Sequence, residues 1–292
     1  MQLLDGKKTA EDIKNEIAAD VAQMKLRGEK VPHLAAIIVG NDGASLTYVS
    51  SKVKACERVG FESTLIRMPS TTSETELLKK IKQLNQDDNI DGFIVQLPLP
   101  EQIDTQEILM AIDPSKDVDG FHPENFGKMA LDMSTFIPAT PFGILELLER
   151  YGVETKGKHT VVIGRSHIVG RPMSILMGRK GFPGNSTVTL THSFTKNISQ
   201  ITTQADIIIT ALGVPNYLKA EMIKDDAVVI DVGITRVEDA SSSKGYRITG
   251  DVDFEHVSKK ASYITPVPGG VGPMTIAMLL KNTLLAREQR RH

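Results

Sequence analysis

Four consecutive β-branched residues, Thr160 to Ile163, constrain this chain more than any other stretch. Branching at Cβ favours an extended, well-packed backbone, so the run predicts a buried strand. Gly164 ends it. Gly170 and Pro172 then open a periodic segment to about Arg179, with the proline suited to the first turn of a helix. Strand, glycine turn and helix begin a mononucleotide-binding unit, where backbone N–H groups and a helix N-terminus hold phosphate. The glycines stand six apart, so this is not the G-x-G-x-x-G fingerprint, and many such turns need glycine for backbone reasons alone. Three later runs strengthen the reading. Ser186 to Thr191 is the next strand. Ala205 to Leu212 and Ala227 to Val232 are near-continuous apolar runs, as parallel strands require.

The same unit bears on the choice of cofactor. In the dinucleotide fold, the residue ending the second strand meets the adenosine ribose, and an acid there favours NAD. This chain has Thr191, His192 and Ser193, with no acid. Arg165 and Ser166 sit in the first turn, placed to take a 2′-phosphate. NADP is therefore expected over NAD.

The half before this unit also alternates helix and strand. Lys7 to Arg27 places Ile13, Ile17, Val21 and Met24 at helical spacing, and His33 to Val39 reads as a strand. A helix is expected from about Ala44 to Arg58, with Val49, Val53 and Cys56 on its apolar stripe. Tyr48 and Lys52 lie four residues apart on that helix and share a face beside the stripe. Two readings stay open. They form a core edge with a snorkelling lysine, or an aromatic platform beside a lysine whose desolvation lowers its pKa and suits it to proton transfer near neutral pH.

Phe61 to Met68 is the next strand, and Ser73-Glu-Thr-Glu76 is a capping box that starts a helix to about Asn85. Asp91 to Leu97 is an apolar strand with Gln96 near its end and Pro98 and Pro100 just beyond. Ligands in open α/β sheets bind outside the carboxyl ends of strands. Gln96 thus either faces such a site or caps the turn. Thr105 to Ile112 is a short helix. Residues 113–129, DPSKDVDGFHPENFGKM, show little periodicity and read as a long ordered loop of the kind that carries function. Asp117 and Asp119 have no third ligand at a useful spacing, so no metal site is expected. A lone carboxylate there suits a ligand with paired N–H donors. His33 and His122 lack an acid or nucleophile partner and are read as structural. A further helix runs from about Pro141 to Tyr151, and the polar stretch Gly152 to His159, with two glycines, is the best candidate boundary. Late in the chain, SSSKGY reads as a surface hairpin. ITPVPGGVGP carries six Pro or Gly residues that could allow close approach to a flat ligand. A final helix from about Pro273 to Arg287 places Ile276, Leu280 and Leu284 on one side.

Composition excludes several classes. At 292 residues there is room for two domains, and 40% hydrophobic with 24% charged residues is a soluble globular balance. Net charge is −2 with no basic block, which disfavours nucleic acid. A single cysteine, Cys56, rules out an intrachain disulfide framework and lacks zinc-site spacing; it is read as a small buried hydrophobe. No cleavable signal pattern opens the sequence, and no apolar run approaches the ~18 residues of a membrane span, so a cytoplasmic location is expected.

Six motifs occur together and in order: YVSSK (48–52), VQLPLP (95–100), KDVDGF (116–121), GRSHIVGRP (164–172), DVGI (231–234) and TPVPGGVGPMT (265–275). In these the chain resembles the bifunctional methylenetetrahydrofolate dehydrogenase–cyclohydrolase family over nearly its whole length. The resemblance implies an α/β fold of two domains with a cleft between them. Residues 1–145 would be an N-terminal substrate-binding and catalytic domain, and 146–272 a Rossmann-like NADP-binding domain, with a helix over 273–289 returning to the first. It implies NADP-dependent oxidation of 5,10-methylene-tetrahydrofolate to the 5,10-methenyl form, then hydrolysis to 10-formyl-tetrahydrofolate, in a homodimer with no metal. Lys52 would be the catalytic lysine, Gln96 its hydrogen-bonding partner and Asp119 the holder of the pterin. Tyr48, Val95, Leu97, Pro268, Gly269, Gly270, Val271, Gly272 and Thr275 would contact the folate. Gly164, Arg165, Ser166, Ser193 and Ile234 would bind NADP. The chain departs from the pattern at Phe194, where many relatives have a basic residue, at Ala139, where many have cysteine, and in a longer RKGFPGNS loop. A different two-domain NAD(P) dehydrogenase would explain residues 160–170 but not QLPLP or KDVDGF. A non-catalytic dinucleotide sensor would have no reason to keep Tyr48, Lys52, Gln96 and Asp119 together.

Overall fold

The computed structural model describes residues 1–239, Ser242 and residues 245–290. In chain order the first elements are β1 (Gln2–Leu3), α1 (Gly6–Leu26), β2 (His33–Val39), α2 (Gly43–Val59), β3 (Glu62–Met68), α3 (Glu74–Gln86), β4 (Gly92–Val95), α4 (Thr105–Ala111) and α5 (Pro123–Ala130). Next come α6 (Ala139–Arg150), β5 (His159–Ile163), α7 (Gly170–Gly178), β6 (Thr187–Thr191), α8 (Ile198–Thr202), β7 (Ile207–Thr210) and β8 (Val228–Asp231). The last are β9 (Thr235–Glu238), β10 (Tyr246–Thr249), α9 (Phe254–Val257), β11 (Tyr263–Ile264) and α10 (Val271–Gln289). The chain forms two compact units, one of residues 11–139 and the chain from Ile276 on, the other of residues 1–10 and 140–275. No described helix is long and apolar enough to cross a membrane.

The first unit is built on a parallel sheet of order β3-β2-β4. Ala35, Ile37 and Val39 of β2, with Phe93 and Val95 of β4, meet Leu77, Ile81 and Leu84 of α3 and Ile108 of α4. The alternate residues Leu34, Ala36 and Ile38 are buried as well, so the central strand is covered on both faces, as parallel strands usually are. The capping box of α3 forms as its sequence predicts: Ser73 Oγ accepts from Glu76 N, and Glu76 Oε2 accepts from Ser73 N. Within the segment read as a loop, the structure places a helix, α5. His122 caps it with Nδ1 accepting from Glu124 N, and Pro123 starts it. Eight residues with a mid-helix glycine give too short a periodicity to detect from sequence. The stripe of α10 also differs from expectation. Ile276 and Leu284 are only half-buried, whereas Met278, Leu279, Leu280, Asn282, Thr283 and Ala286 are buried. Asn282 Nδ2 donates to Val118 O and Ile137 O, and Arg287 donates to Lys30 O and Glu29.

The second unit holds a six-stranded sheet of order β1-β11-β8-β7-β5-β6, every pair parallel. After β5 the chain steps to β6 on one side and then returns to β7 on the other. This creates a topological switch point at the carboxyl ends of β5 and β7. Two features differ from the boundaries read off the sequence. The first ten residues belong to this unit because the two-residue strand β1 pairs with β11, a strand too short to show a pattern. Helix α6 belongs to it entire from Thr140, and the glycine-bearing stretch after it is no linker. Thr155 Oγ1 accepts from Gly184 N and its carbonyl from Ser186 Oγ, which pins the turn to the sheet edge. The hairpin expected at SSSKGY has its strands in β9 and β10, paired antiparallel, while residues 240, 241, 243 and 244 of its tip lie outside the described residues.

Lys116 shows how a charged group serves the fold. Only 2% of it is exposed, and its Nζ donates to Leu84 O and Asp87 O at 2.7 Å each. It satisfies carbonyls at the C-terminal end of α3, where a cation also meets the negative end of the helix dipole. Burial holds its pKa below the usual lysine range. Lys116→Met keeps the aliphatic stem and removes the charged donor from both carbonyls, each of which keeps one backbone N–H. A loss of about 2 kcal/mol in urea unfolding is expected; a loss below about 0.5 kcal/mol would mean the amine contributes nothing net.

Candidate functional site

Helix α2 carries the first cluster. Its N-terminus is fixed by Asp42, whose side chain accepts from Ser45 N. Tyr48 and Lys52 lie one turn apart on one face. Lys52 is only 4% exposed. Its Nζ lies 3.3 Å from Gln96 Oε1 and 4.6 Å from the centroid of the Tyr48 ring. Gln96 stands just past the carboxyl end of β4, its N–H bonded to Ile37 O. Its Nε2 donates to Leu97 O at 2.8 Å, which turns Oε1 toward the lysine. Val95 is buried in β4 and Leu97 is half-buried ahead of a cis bond to Pro98.

Charge reaches this cluster from Asp119. Desolvation lowers the Lys52 pKa from the ordinary lysine value, while the charges of Asp119 and Cys56 oppose the shift. Desolvation raises the Asp119 carboxyl, and Lys52 pulls it back. For both groups, loss of water outweighs mutual attraction. The nearby Cys56 thiol is buried and pushed up to about 12, so it is inert.

The KDVDGF motif divides by role. Lys116 caps α3. Asp117 is buried, accepts from His122 N and Asn125 Nδ2 through Oδ2, and is pushed up to about 7 by that burial. It fixes the turn into α5. Asp119 is half-buried and has no hydrogen-bond partner among the described residues, so its oxygens remain acceptors for a ligand. His33 is tied to Thr64 through Nε2, but its Nδ1 lies 3.4 Å from Glu62 Oε2 on the neighbouring strand, an acid neighbour that its sequence surroundings did not show.

The second cluster lies at the carboxyl ends of the six-stranded sheet. Gly164 has φ +114° and a Cβ there would sit 2.3 Å from Ala211 O; a Cβ on Gly170 would sit 1.9 Å from Gly164 O. Both glycines are needed for this turn to fold against the strands. Ser166 Oγ accepts from Val169 N and Gly170 N, and Ser166 O from Arg171 N. The first N–H groups of α7 are therefore already satisfied within the chain. The sequence pattern assigns them to phosphate; the local geometry leaves the exposed Arg165 guanidinium and the hydroxyls of Ser166 and Ser193 as the free donors. No carboxylate pairs with Arg165 among the described residues.

Two acids missed in the sequence shape this end of the sheet. Asp231, closing β8, accepts from Gly233 N, Asp251 N and Val252 N. Asp251 Oδ2 accepts from Leu212 N and Gly213 N just beyond β7. Burial pushes the Asp231 carboxyl up to about 6. The signal was present: a polar residue closing an apolar strand, as with Gln96. Beside Asp231, residues 231–234 and 266–273 enclose a cavity of about 220 Å³. Ile234, 61% exposed, lies against Gly272, and Pro268 to Gly272 form the opposite wall. Thr275 Oγ1 meets Thr140 Oγ1 at 3.0 Å. Thus Tyr48, Val95, Gln96, Leu97, Lys52 and Asp119 lie in one unit, and Gly164, Arg165, Ser166, Ser193, Ile234, the 268–272 wall and Thr275 in the other. Among the described residues no group of three or more His, Cys, Asp or Glu could hold a metal ion.

Comparison with known proteins also divides the chain in two, with the break between residues 119 and 138, although it counts residues 4–10 with the first part and 276–291 with the second. The family model described as tetrahydrofolate dehydrogenase/cyclohydrolase, catalytic domain, matches residues 4–119, and that for its NAD(P)-binding domain matches residues 138–291. The chain belongs to the tetrahydrofolate dehydrogenase/cyclohydrolase family. It is 88% identical over 291 residues to the bifunctional protein FolD of Flavobacterium psychrophilum, covering 100% of this chain and 99% of the relative. The crystal structure of the bifunctional FolD enzyme from Campylobacter jejuni is 48% identical with TM-score 0.93, covering 99% of each chain. The Trypanosoma brucei FolD structure, complexed with NADP cofactor and inhibitor, is 39% identical with TM-score 0.93, covering 99% of this chain and 97% of that one.

Within this tetrahydrofolate dehydrogenase/cyclohydrolase, the Lys52–Asp119 coupling has a measurable sign. Asp119 raises the lysine pKa, so Asp119→Asn must lower it further. A hydrolytic step that needs the neutral amine gains its activity as pH rises through that pKa. The rising limb of the pH profile for hydrolysis is expected to move to lower pH in Asp119→Asn, alongside a higher KM. A limb that stays put or moves up would show that the two groups are not coupled.

Proposed function

We propose that this chain is a bifunctional one-carbon folate enzyme. It oxidises 5,10-methylene-tetrahydrofolate to the 5,10-methenyl form with NADP, then hydrolyses that product to 10-formyl-tetrahydrofolate. The observation that carries the reading is the buried amine of Lys52, held by Gln96 over Tyr48 with Asp119 beside it. A lysine kept this dry has a larger neutral fraction near pH 7 than a surface lysine, which is what proton transfer requires.

The residues at the carboxyl ends of the six-stranded sheet fit NADP. Arg165 is an exposed cation without an acidic partner among the described residues, Ser166 and Ser193 offer hydroxyls, and no carboxylate closes β6 to repel a 2′-phosphate. Gly164 lets the first turn lie close against the strands. When bound, NADP supplies the hydride acceptor. The chain's own contribution to oxidation is positioning. Tyr48 offers a ring face for the aminobenzoate. Asp119, with both oxygens uncommitted, accepts from the paired N–H donors of the pterin edge.

In hydrolysis, neutral Lys52 takes a proton from the water that attacks the methenyl carbon. The resulting ammonium returns a proton to N5 of the folate as the C–N5 bond breaks, and the remaining hydroxyl proton leaves to solvent as the formyl C=O forms. Gln96 Oε1 accepts one N–H of the amine, which keeps the lone pair from pointing at Gln96. The family resemblance further implies a homodimer.

Lys52→Met is expected to lose cyclohydrolase activity more completely than dehydrogenase activity, since oxidation depends on positioning and hydrolysis on proton transfer. Absorbance of the methenyl product, tracked during formation and decay, reads both steps. Full hydrolysis by that variant would refute the assignment. The same assay with each nicotinamide cofactor should favour NADP, and a strong preference for NAD would overturn the cofactor reading.

A further inference from the structure

An exposed phenylalanine at the end of β6 stands out. Phe194 is 79% exposed, yet it is not loose in its surroundings. Residues 192–195 close on themselves: His192 N donates to Thr195 Oγ1, Thr195 N to His192 O, and Phe194 N to His192 Nδ1. The His192 ring meets the Phe194 ring edge-on, with centroids 6.2 Å apart and planes at 67°. This fixed turn presents the ring to Arg165, whose guanidinium carbon lies 5.8 Å from its centroid. Arg165 has no carboxylate partner among the described residues, so the ring is what restrains it.

An exposed arginine samples many rotamers, and restraining it before a ligand arrives removes part of the ordering cost of binding. A cation against an aromatic face keeps its full charge and its N–H donors, because the ring takes none of them. A carboxylate in the same place would neutralise it. Resting on the NADP reading of this site, we propose that Phe194 is a positioning residue for cofactor choice, bracing Arg165 by a cation–π contact so that its guanidinium is held ready for the 2′-phosphate. The chain thus selects the phosphorylated dinucleotide with one restrained cation. The brace acts on the phosphate alone, so it must appear as a change in selectivity and not in general dinucleotide affinity.

Calorimetric titration of NADP and of NAD into the wild type, Phe194→Ala, Phe194→Trp, Arg165→Ala and the Phe194→Ala/Arg165→Ala double variant tests this. Phe194→Ala is expected to lower the NADP-to-NAD affinity ratio about two- to fivefold, the range of an exposed cation–π contact. Phe194→Trp should restore the ratio, and Phe194→Ala should change nothing further once Arg165 is gone. Equal loss of both dinucleotides in Phe194→Ala would mean the ring stacks on the shared adenine, and overturns the brace. Additive effects in the double variant, or an unchanged ratio with normal NADP preference, overturn it as well. A wild type that binds neither dinucleotide overturns the cofactor reading and the brace together.

Discussion

The arrangement around α2 depends on keeping one amine out of water. Lys52 is buried at the end of a hydrophobic core, and an isolated ammonium there would be strongly disfavoured. Three neighbours reduce that cost without removing it: the Gln96 carbonyl oxygen, the Tyr48 ring and the Asp119 charge. Had Asp119 formed a close ion pair with it, the lysine would be locked in its charged form. A glutamine as the hydrogen-bond partner leaves the protonation state free to change, because its oxygen accepts from either form of the amine. The balance is tilted by desolvation, and the scaffold exists to maintain that tilt.

That scaffold explains why the polar residues fall where they do. In a parallel sheet buried on both faces, side chains along a strand can only pack. The chain's first freedom to place a polar group is beyond the strand's carboxyl end. Gln96 uses this position after β4, and Asp231 uses it at the end of β8. The two do different work. Gln96 spends its N–H on its own backbone neighbour and turns its oxygen to the lysine, whereas Asp231 spends both oxygens on backbone N–H groups of the turns around it. The same location thus yields a hydrogen-bond partner for the lysine in one sheet and a loop anchor in the other. The number of acceptors each residue has left decides between them.

Much of this was legible in the sequence, and the failures have physical causes. The strands of five or more residues, the capping box of α3 and the glycine turn after β5 declare themselves through β-branching, capping chemistry and backbone necessity. The face shared by Tyr48 and Lys52 follows from helical spacing alone. Burial of Lys52 speaks against the snorkelling reading of that face, and burial is a tertiary property that spacing does not encode. Helix α5 escaped because eight residues barely complete two turns. The boundary after α6 misled because glycines mark a turn whether it is free or, as at Thr155, anchored from across the unit. In KDVDGF the acids at 117 and 119 look alike in sequence. Only the hydrogen bonds of Asp117 separate the anchor from the free acceptor.

The buried acids show what this division of labour does to stability. Asp117 and Asp231 are raised to about 7 and about 6 by desolvation, against which their hydrogen bonds act. A carboxyl whose folded pKa exceeds its unfolded value holds its proton longer in the native state. Its contribution is therefore greatest below the unfolded value near 3.8 and falls as pH rises through the folded one. Near neutral pH both anchors weigh against the folded state as they ionise. Yet replacing either with an apolar residue would leave the N–H donors it holds without acceptors, a pH-independent loss. The turns these acids hold carry Asp119 in one unit and Gly233 in the other, where Asp231 also fixes the backbone of Asp251, whose side chain holds the loop after β7. Ionisable anchors are retained because the loops they fix have no backbone ladder of their own, and those loops carry or adjoin the residues to which binding and chemistry are assigned.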